Sequence, residues 1–302
     1  MYVIYGLMCL IFGTTFLAIK VGIDAGAPPF LFAGTRFFAA GVIVLAAVKM
    51  TNGKIGVDHG SRQDILLVGT FMTAVMFGCL YWGERYISSS VAALLAATTP
   101  IMIGIVEWFQ GVRESVWLKG GGLLISFTGV MVAVLPALGM DVTREAVLAV
   151  LVILAAEVGC VFGTMRSKTI LAAGCNPFVL NGWQMVIGGL MLVVLSIITE
   201  PAEVFINYKV SYSWLYLVVF GSLAGHGSYY WLVRQAGPLL PSTWTYISPV
   251  IAQFVGYYFL AEYVSGYSFM GLGLVLGGVY LVSQAAMLEQ YLKKQLKRFV
   301  VS

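Results

Sequence analysis

The chain has 302 residues, of which 60 % are hydrophobic and only 10 % are charged, whereas a soluble domain carries about 25 % charged residues. This composition, with a mean hydropathy of +0.93, excludes a water-soluble globular protein and favours a compact bundle of membrane helices. The four cysteines have no paired spacing, which excludes a disulfide framework and a CxxC metal or redox site. We therefore interpret the net charge of +4 as a distribution over loops, and we expect no nucleic-acid partner.

Ten apolar stretches are long enough to span a hydrocarbon layer, which takes about 20 mostly apolar residues per helix. They cover residues 2–20, 29–48, 65–83, 88–107, 118–138, 146–165, 177–198, 213–233, 240–261 and 267–287. The third and fourth stretches are separated only by Glu84, Arg85 and Tyr86. The sequence predicts an all-α, polytopic membrane protein of ten transmembrane helices.

Positive charge predicts the orientation of the chain in a plasma membrane, which we expect to be bacterial. If the N-terminus is cytoplasmic, the outside loops hold only Arg85, Arg144 and Lys209. The inside loops and tail then hold Lys49, Lys54, Arg62, Arg113, Lys119, Arg166, Lys168, Arg234, Lys293, Lys294, Lys297 and Arg298. Because Lys and Arg accumulate in cytoplasmic loops, we expect both termini inside and residues 288–302 to form a basic cytoplasmic tail. That tail either fixes the last helix or recruits anionic lipid or a partner.

An offset of 149 residues aligns the two halves of the chain without gaps. It pairs Pro28 with Pro177, Leu66 with Leu215, Phe71 with Phe220, Gly78 with Gly227, Tyr81 with Tyr230, Trp82 with Trp231, Arg85 with Arg234, Pro100 with Pro249, Gly122 with Gly271, Leu123 with Leu272 and Gly129 with Gly278. Each copy has five spans, an odd number, so the second copy enters the membrane in the opposite sense. The sequence thus predicts two inverted five-helix repeats, residues 2–138 and 146–287, an organisation typical of secondary transporters.

Several runs of sequence also carry a family resemblance: residues 12–23, 28–41, 86–105 and 122–135 in the first half, and 176–189, 242–263 and 271–282 in the second. They resemble the EamA-type permeases of the drug/metabolite transporter superfamily over nearly the whole chain. The resemblance implies a ten-helix transporter whose two bundles enclose a central cavity and which usually exports small metabolites. The chain departs from the family at Phe12, where the family often has Trp, and at Glu157 and His226 inside the sixth and eighth spans.

Ionisable side chains inside a membrane are costly and mark functional sites. Glu157, near the middle of its span, is a candidate for proton coupling, with a structural acid that is neutral or paired as the alternative. His226, flanked by glycines, can relay protons or can be a neutral histidine bonded across helices. Arg36 either binds an anionic substrate group or clamps a helix C-terminus or Glu157. Lys20 closes the first span and is a weaker substrate candidate, since it can snorkel to the interface.

Matched helix breaks and aromatic clusters supply further candidates. Pro100 and Pro249 each free a helix carbonyl, and matched breaks in two repeats point to a binding region, although an architectural kink is the alternative. Arg85 and Arg234, with the aromatic pairs before them, are gate candidates or interface anchors. The full candidate cavity comprises Arg36, Tyr81, Trp82, Pro100, Asn181, Gln184, Tyr230, Trp231, Tyr246, Pro249 and Gln253.

These features favour a secondary transporter over a membrane-embedded enzyme or a passive channel. The chain lacks HExxH, GxSxG and Walker A patterns, and we expect neither a cofactor nor a metal, since no residue has ligand spacing to His226. Buried groups of both signs, Arg36 and Glu157, would suit a zwitterion such as an amino acid, exported by alternating access and driven by protons. Gly273 and Gly277 form a GxxxG in the last span, which predicts helix packing or a homodimer contact.

Overall fold

The computed structural model describes residues 1–51, 53–56, 59–87, 89–134, 143–201, 207–260 and 266–301. Each apolar stretch becomes a helix because lipid offers no hydrogen-bond partner to the backbone, so every N–H and C=O has to be satisfied within the segment. The ten predicted helices are confirmed, and the turn at Glu84, Arg85 and Tyr86 separates the third from the fourth.

The first repeat contains five helices. They are α1 (Tyr2–Asp24), α2 (Pro29–Met50), α3 (His59–Val68, the π-helical Gly69–Val75 and Met76–Gly83), α4 (Ser89–Ala96 and Thr99–Phe109) and α5 (Val116–Val134).

The second repeat contains the other five. They are α6 (Arg144–Ala172), α7 (Pro177–Thr199), α8 (Tyr208–Tyr216, the π-helical Leu217–His226 and Gly227–Ala236), α9 (Leu239–Ser242 and Trp244–Leu260) and α10 (Gly266–Val301). In the described part of the chain, seven helices are long and apolar enough to cross a membrane, and Val116–Val132 is a shorter apolar helix.

The end of α1 contacts the end of α3 and the start of α8 at one side of the bundle. We call the side where α1 ends the Asp24 end and the side where it begins the Met1 end. Helix α6 continues to Ala172, seven residues beyond its predicted span, and α10 continues to Val301. Helical structure therefore extends past the apolar stretches into the charged segments at the Met1 end.

Equivalent helices of the two repeats pack against each other in antiparallel pairs, α2 with α7 and α5 with α10. A Cβ atom added to Gly122 would lie 2.7 Å from the carbonyl oxygen of Gly278, and one added to Gly129 would lie 2.8 Å from that of Gly271. Gly122 and Gly271 are repeat counterparts, as are Gly129 and Gly278, so this is the same contact made twice around a pseudo-two-fold axis. The inverted repeat is confirmed.

A π-helical segment interrupts the third helix of each repeat at the same place. The offset of 149 residues carries Gly69–Val75 onto residues 218–224, which lie inside Leu217–His226. A π turn accommodates one extra residue and frequently occurs at functional sites. The hydrophobic pattern did not predict these π-helical segments, because each lies inside a continuous apolar stretch that reads as ordinary membrane helix.

Candidate functional site

One cavity is lined by residues of seven helices, α1, α2, α3, α4, α6, α8 and α9. Its lining is mostly apolar and aromatic with a few polar groups, the usual composition of a small-molecule site. The lining residues are Phe12, Thr15, Phe16, Ile19, Arg36, Met72, Met76, Phe77, Leu80, Ala96, Thr99, Glu157, Cys160, His226, Tyr229, Ser242, Trp244 and Thr245. The three ionisable candidates, Arg36, Glu157 and His226, thus meet in one cavity.

Arg36 of α2 is only 1 % exposed, and its partners are hydroxyl groups and aromatic rings. Its Nε donates to the Ser222 hydroxyl at 3.0 Å, and its Nη1 donates to the Tyr81 hydroxyl. The guanidinium carbon lies 4.5 Å from the centre of the Phe37 ring, a cation–π contact. In the described part of the chain, none of the three ion pairs includes Arg36. The guanidinium is therefore a buried cation whose remaining donors are available to an anionic group.

A glycine makes room for this guanidinium. A Cβ atom added to Gly221, in the π-helical segment of α8, would lie 2.8 Å from Nη2 of Arg36. The same segment supplies Ser222, so the π turn brings both the space and the hydroxyl to Arg36.

Glu157 of α6 is also 1 % exposed. Its Oε2 accepts a hydrogen bond from the Thr99 hydroxyl, whereas its Oε1 has no partner among the described residues. Thr99 begins the second segment of α4, so the interruption of α4 holds this carboxyl group at the cavity.

The matched prolines release backbone carbonyls beside the cavity. A proline lacks the N–H that would bond to the carbonyl four residues earlier in a helix. Pro100 therefore removes the helical donor of Ala96, and Pro249 removes that of Thr245. Ala96 and Thr245 are repeat counterparts, and both line the cavity.

His226 ends the π-helical segment of α8 and packs among aromatic rings. Its Nδ1 lies 2.9 Å from the carbonyl oxygen of Gly221, a geometry that places the proton on Nδ1 and leaves Nε2 as an acceptor. Ring centres lie 5.2 Å from Phe12, 5.6 Å from Phe37 and 5.5 Å from Phe77. Phe77 is the repeat counterpart of His226, so this cluster lies near the pseudo-two-fold axis.

A neutral hydrogen-bonded pair lies at the repeat position of Ser222, next in the chain to Met185, the counterpart of Arg36. The counterpart of Ser222 is Thr73, whose hydroxyl donates to Oε1 of Gln184. Gln184 also donates to Oδ1 of Asn181 at 3.2 Å, and Nδ2 of Asn181 is buried with no partner among the described residues. The predicted residues Asn181 and Gln184 therefore form a separate buried network between α7 and α3.

Three other candidates are fully buried close to cavity residues. Tyr81 contacts Arg36, and the hydroxyl of Tyr230 lies 3.4 Å from Sδ of Met72. Tyr246 is 0 % exposed, and its hydroxyl has no partner within the described part of the chain.

The remaining candidates lie away from the cavity lining. Trp82 and Trp231 line separate grooves, and Arg85 and Arg234 are exposed at opposite ends of the bundle. Lys20 is half-buried at the Asp24 end. Pro249 is buried inside α9, and the side chain of Gln253 lies outside the described residues.

Sequence reasoning did not link the candidate side chains to the hydroxyl groups that hold them: Ser222 for Arg36, Thr99 for Glu157 and Thr73 for the neutral Gln184. The offset of 149 residues contained a signal for them, since Ser222 and Thr73 are counterparts, as are Thr99 and Ser248. Ser248 donates to the carbonyl oxygen of Phe12 at 3.3 Å. In both repeats, therefore, the hydroxyl that precedes the proline bonds to the first helix of the other repeat.

The cavity and the inverted repeat agree with a comparison against known families. Residues 1–135 and 147–284 both match the EamA-like transporter family. The chain belongs to this family. It is a multi-pass membrane protein of a transporter family.

Curated relatives match over most of their length. The uncharacterized inner membrane transporter YedA of Escherichia coli (strain K12) is 25 % identical over 279 residues, which cover 91 % of this chain and 87 % of the relative. The uncharacterized transporter YoaV of Bacillus subtilis (strain 168) is 24 % identical, covering 90 % and 92 %.

Likeness to a solved crystal structure supports the fold. That structure superposes with a TM-score of 0.80 at 16 % sequence identity, over 94 % of this chain and 96 % of its own.

Proposed function

We propose that this chain is a secondary transporter that exports a small zwitterionic metabolite, such as an amino acid or a related compound, by alternating access. The observation that carries the proposal is the relation of Arg36 to Glu157. Both are 1 % exposed and line one cavity, yet each bonds to a hydroxyl group rather than to the other. Unpaired charges inside a membrane are costly, and a ligand with a carboxylate and an ammonium group would compensate both.

Each part of such a ligand has a complementary partner in the cavity. The carboxylate would accept from the free donors of Arg36, whose planar fork suits two-point binding. The ammonium would donate to Oε1 of Glu157 and to the carbonyls that the prolines release. The aromatic lining, with Phe12 and Trp244 at 4.3 Å between ring centres, would accommodate an apolar side chain.

Proton coupling would follow from competition at Glu157. The carboxyl group can hold either a proton or the ammonium group of the substrate, so binding of one favours release of the other. His226 is the second candidate, since Nε2 can accept a proton within the same cavity. Positive charge favours cytoplasmic termini in a bacterial plasma membrane, which would direct the Asp24 end outward.

Counterflow in proteoliposomes tests the proposal. Pooled amino acids and pooled other metabolites are loaded, and exchange is measured with and without a pH gradient for wild type and Glu157→Gln. We expect an amino-acid pool to exchange in both proteins, with gradient-driven accumulation only in wild type. Glu145→Gln, which changes an exposed acid in the first turn of the same helix, is the matched control.

The other outcomes separate the alternatives. Competition by other metabolites and by no amino acid would exclude the substrate class. Flux without saturation or counterflow would indicate a channel, and turnover of a labelled lipid or peptide by purified protein would indicate an enzyme. Equal gradient-driven accumulation in both proteins would show that Glu157 has a structural role, and His226 would then be the candidate for proton coupling.

A further inference from the structure

A second ionisable cluster lies at the Asp24 end, next to the cavity. Nζ of Lys20 donates to the backbone carbonyl of Glu84 at 2.8 Å and lies 3.0 Å from Oδ1 of Asp24. Glu84 is the first residue after α3, so this bond joins the ends of α1 and α3. Ile19 and Leu80 line the cavity, one residue before Lys20 and one helical turn before Glu84. The bond from Lys20 to Glu84 therefore lies directly beyond the cavity wall.

The side chain of Glu84 has an unusual environment. It is 0 % exposed, and neither carboxyl oxygen has a hydrogen-bond partner among the described residues. Lys20 instead uses its ammonium group on the backbone of Glu84 and on Asp24, whose side chain is 59 % exposed. A buried carboxylate without a partner is strongly unfavourable, whereas the neutral acid is tolerated. This arrangement therefore favours the protonated form of Glu84.

We propose that Glu84 is a proton-exchange site that controls whether the Asp24 end of the transporter is open. With Glu84 neutral, Lys20 holds the ends of α1 and α3 together, as seen in this structure. When Glu84 loses its proton, the carboxylate needs either the ammonium group of Lys20 or water, and both require α1 and α3 to rearrange. The inference rests on the proposed alternating access, which requires this end to open.

The surroundings of Glu84 set the direction of the pH effect. The titratable and charged groups around it are Lys20, Asp24, Tyr81 and Arg85, of which Asp24 and Arg85 are exposed. The wall that α6 forms against the adjacent Gly83 consists of the uncharged Ala149 and Ile153. Burial raises the pKa of the Glu84 carboxyl group well above its usual range, while Lys20 lowers it and Asp24 raises it. The closed arrangement is accordingly favoured at low pH and loses stability as the pH rises through this raised pKa.

Labelling of Cys160, a cavity-lining thiol, measures opening without any substrate. The other cysteines are replaced (Cys9→Ser, Cys79→Ser, Cys175→Ser), and a membrane-impermeant maleimide is added at the Asp24 side of oriented vesicles over a pH series. Glu84→Gln mimics the neutral acid, so its labelling records only the intrinsic pH dependence of the thiol. We expect the ratio of wild-type to Glu84→Gln labelling to be near one at low pH and to rise several-fold as the pH increases. Glu145→Gln should follow wild type.

Two neighbouring substitutions test the same claim if Glu84→Gln does not fold. Lys20→Gln removes the bond that holds the ends of α1 and α3 together and should increase labelling already at low pH. Asp24→Asn leaves that bond in place and should move the midpoint of pH-dependent labelling to lower pH. A constant ratio for Glu84→Gln, no increase in Lys20→Gln, or a midpoint that does not fall in Asp24→Asn would overturn the inference. Since no substrate is involved, these results stand apart from any failure to find transport.

Discussion

Ser126 donates a hydrogen bond at 3.3 Å to the backbone carbonyl of Val275, which is its own counterpart 149 residues later in the chain. A contact between a residue and its repeat counterpart lies close to the pseudo-two-fold axis. It occurs where α5 and α10 pack glycine against backbone through Gly122 and Gly278. We infer that this helix pair is a fixed element about which the other helices exchange positions.

Close packing of α5 on α10 predicts a large effect of one added methyl group. In Gly122→Ala the new Cβ would meet the carbonyl of Gly278 at 2.7 Å, and overpacking of this kind costs about 1–3 kcal/mol. Gly273→Ala is the control, since a Cβ at Gly273 has nothing within 4 Å. Thermal unfolding in detergent should show a lower midpoint for Gly122→Ala alone.

The exposed position of Gly273 also tests the predicted dimer contact. If the last helix forms a homodimer through Gly273 and Gly277, a bulky Gly273→Leu substitution should reduce crosslinked dimer without lowering the unfolding midpoint. Unchanged crosslinking would exclude α10 as the dimer interface.

The Ser222 hydroxyl is expected to position Arg36 for substrate. Because a hydrogen bond to a charged group contributes about 1.5–3 kcal/mol, Ser222→Ala should raise the half-saturation concentration of counterflow about tenfold. Thr73→Ala removes the counterpart hydroxyl from the neutral network with Gln184 and should leave this concentration unchanged. Equal effects of the two substitutions would contradict a role specific to Arg36.

Pro249 is expected to lower stability and to allow movement of α9. A proline inside a helix costs about 3 kcal/mol, and Pro249 lies inside Trp244–Leu260. Pro249→Ala should therefore raise the unfolding midpoint and slow exchange, because the carbonyl of Thr245 regains its donor. Pro29→Ala, at the first position of α2 where proline is tolerated, should change neither. Faster exchange in Pro249→Ala would exclude this helix break as a functional element.

The raised pKa of Glu84 predicts a pH-dependent stability difference. Ionisation is opposed in the folded protein, so wild type loses stability as the pH rises from the unfolded-state pKa towards the folded-state pKa. Glu84→Gln does not titrate. Its unfolding midpoint should match that of wild type at low pH and exceed it increasingly at higher pH. The difference should stop growing once Glu84 of wild type is ionised in both the folded and the unfolded protein.

Much of the fold follows from the sequence because lipid imposes simple requirements. Apolar length predicts the ten helices, and the 149-residue offset predicts that α5 meets α10. The sequence predicted that Arg36 and Glu157 act on one substrate, but it did not indicate that His226 lies in the same cavity, because His226 had been considered by its depth in a single span. Which side of a helix faces a cavity depends on its rotation, and the π-helical segments change that rotation for Ser222 and Thr73.

The repeat pairs several glycines and prolines, whereas the three ionisable groups of the cavity have no ionisable counterparts. The counterparts of Arg36, Glu157 and His226 are Met185, Met8 and Phe77, so each ionisable group has an apolar equivalent in the other half. The inward-facing and outward-facing forms would share one scaffold and yet differ in energy when empty. Under the proposed alternating access, those three side chains would bias which form the unloaded protein rests in, and hence the side of the membrane from which substrate first binds.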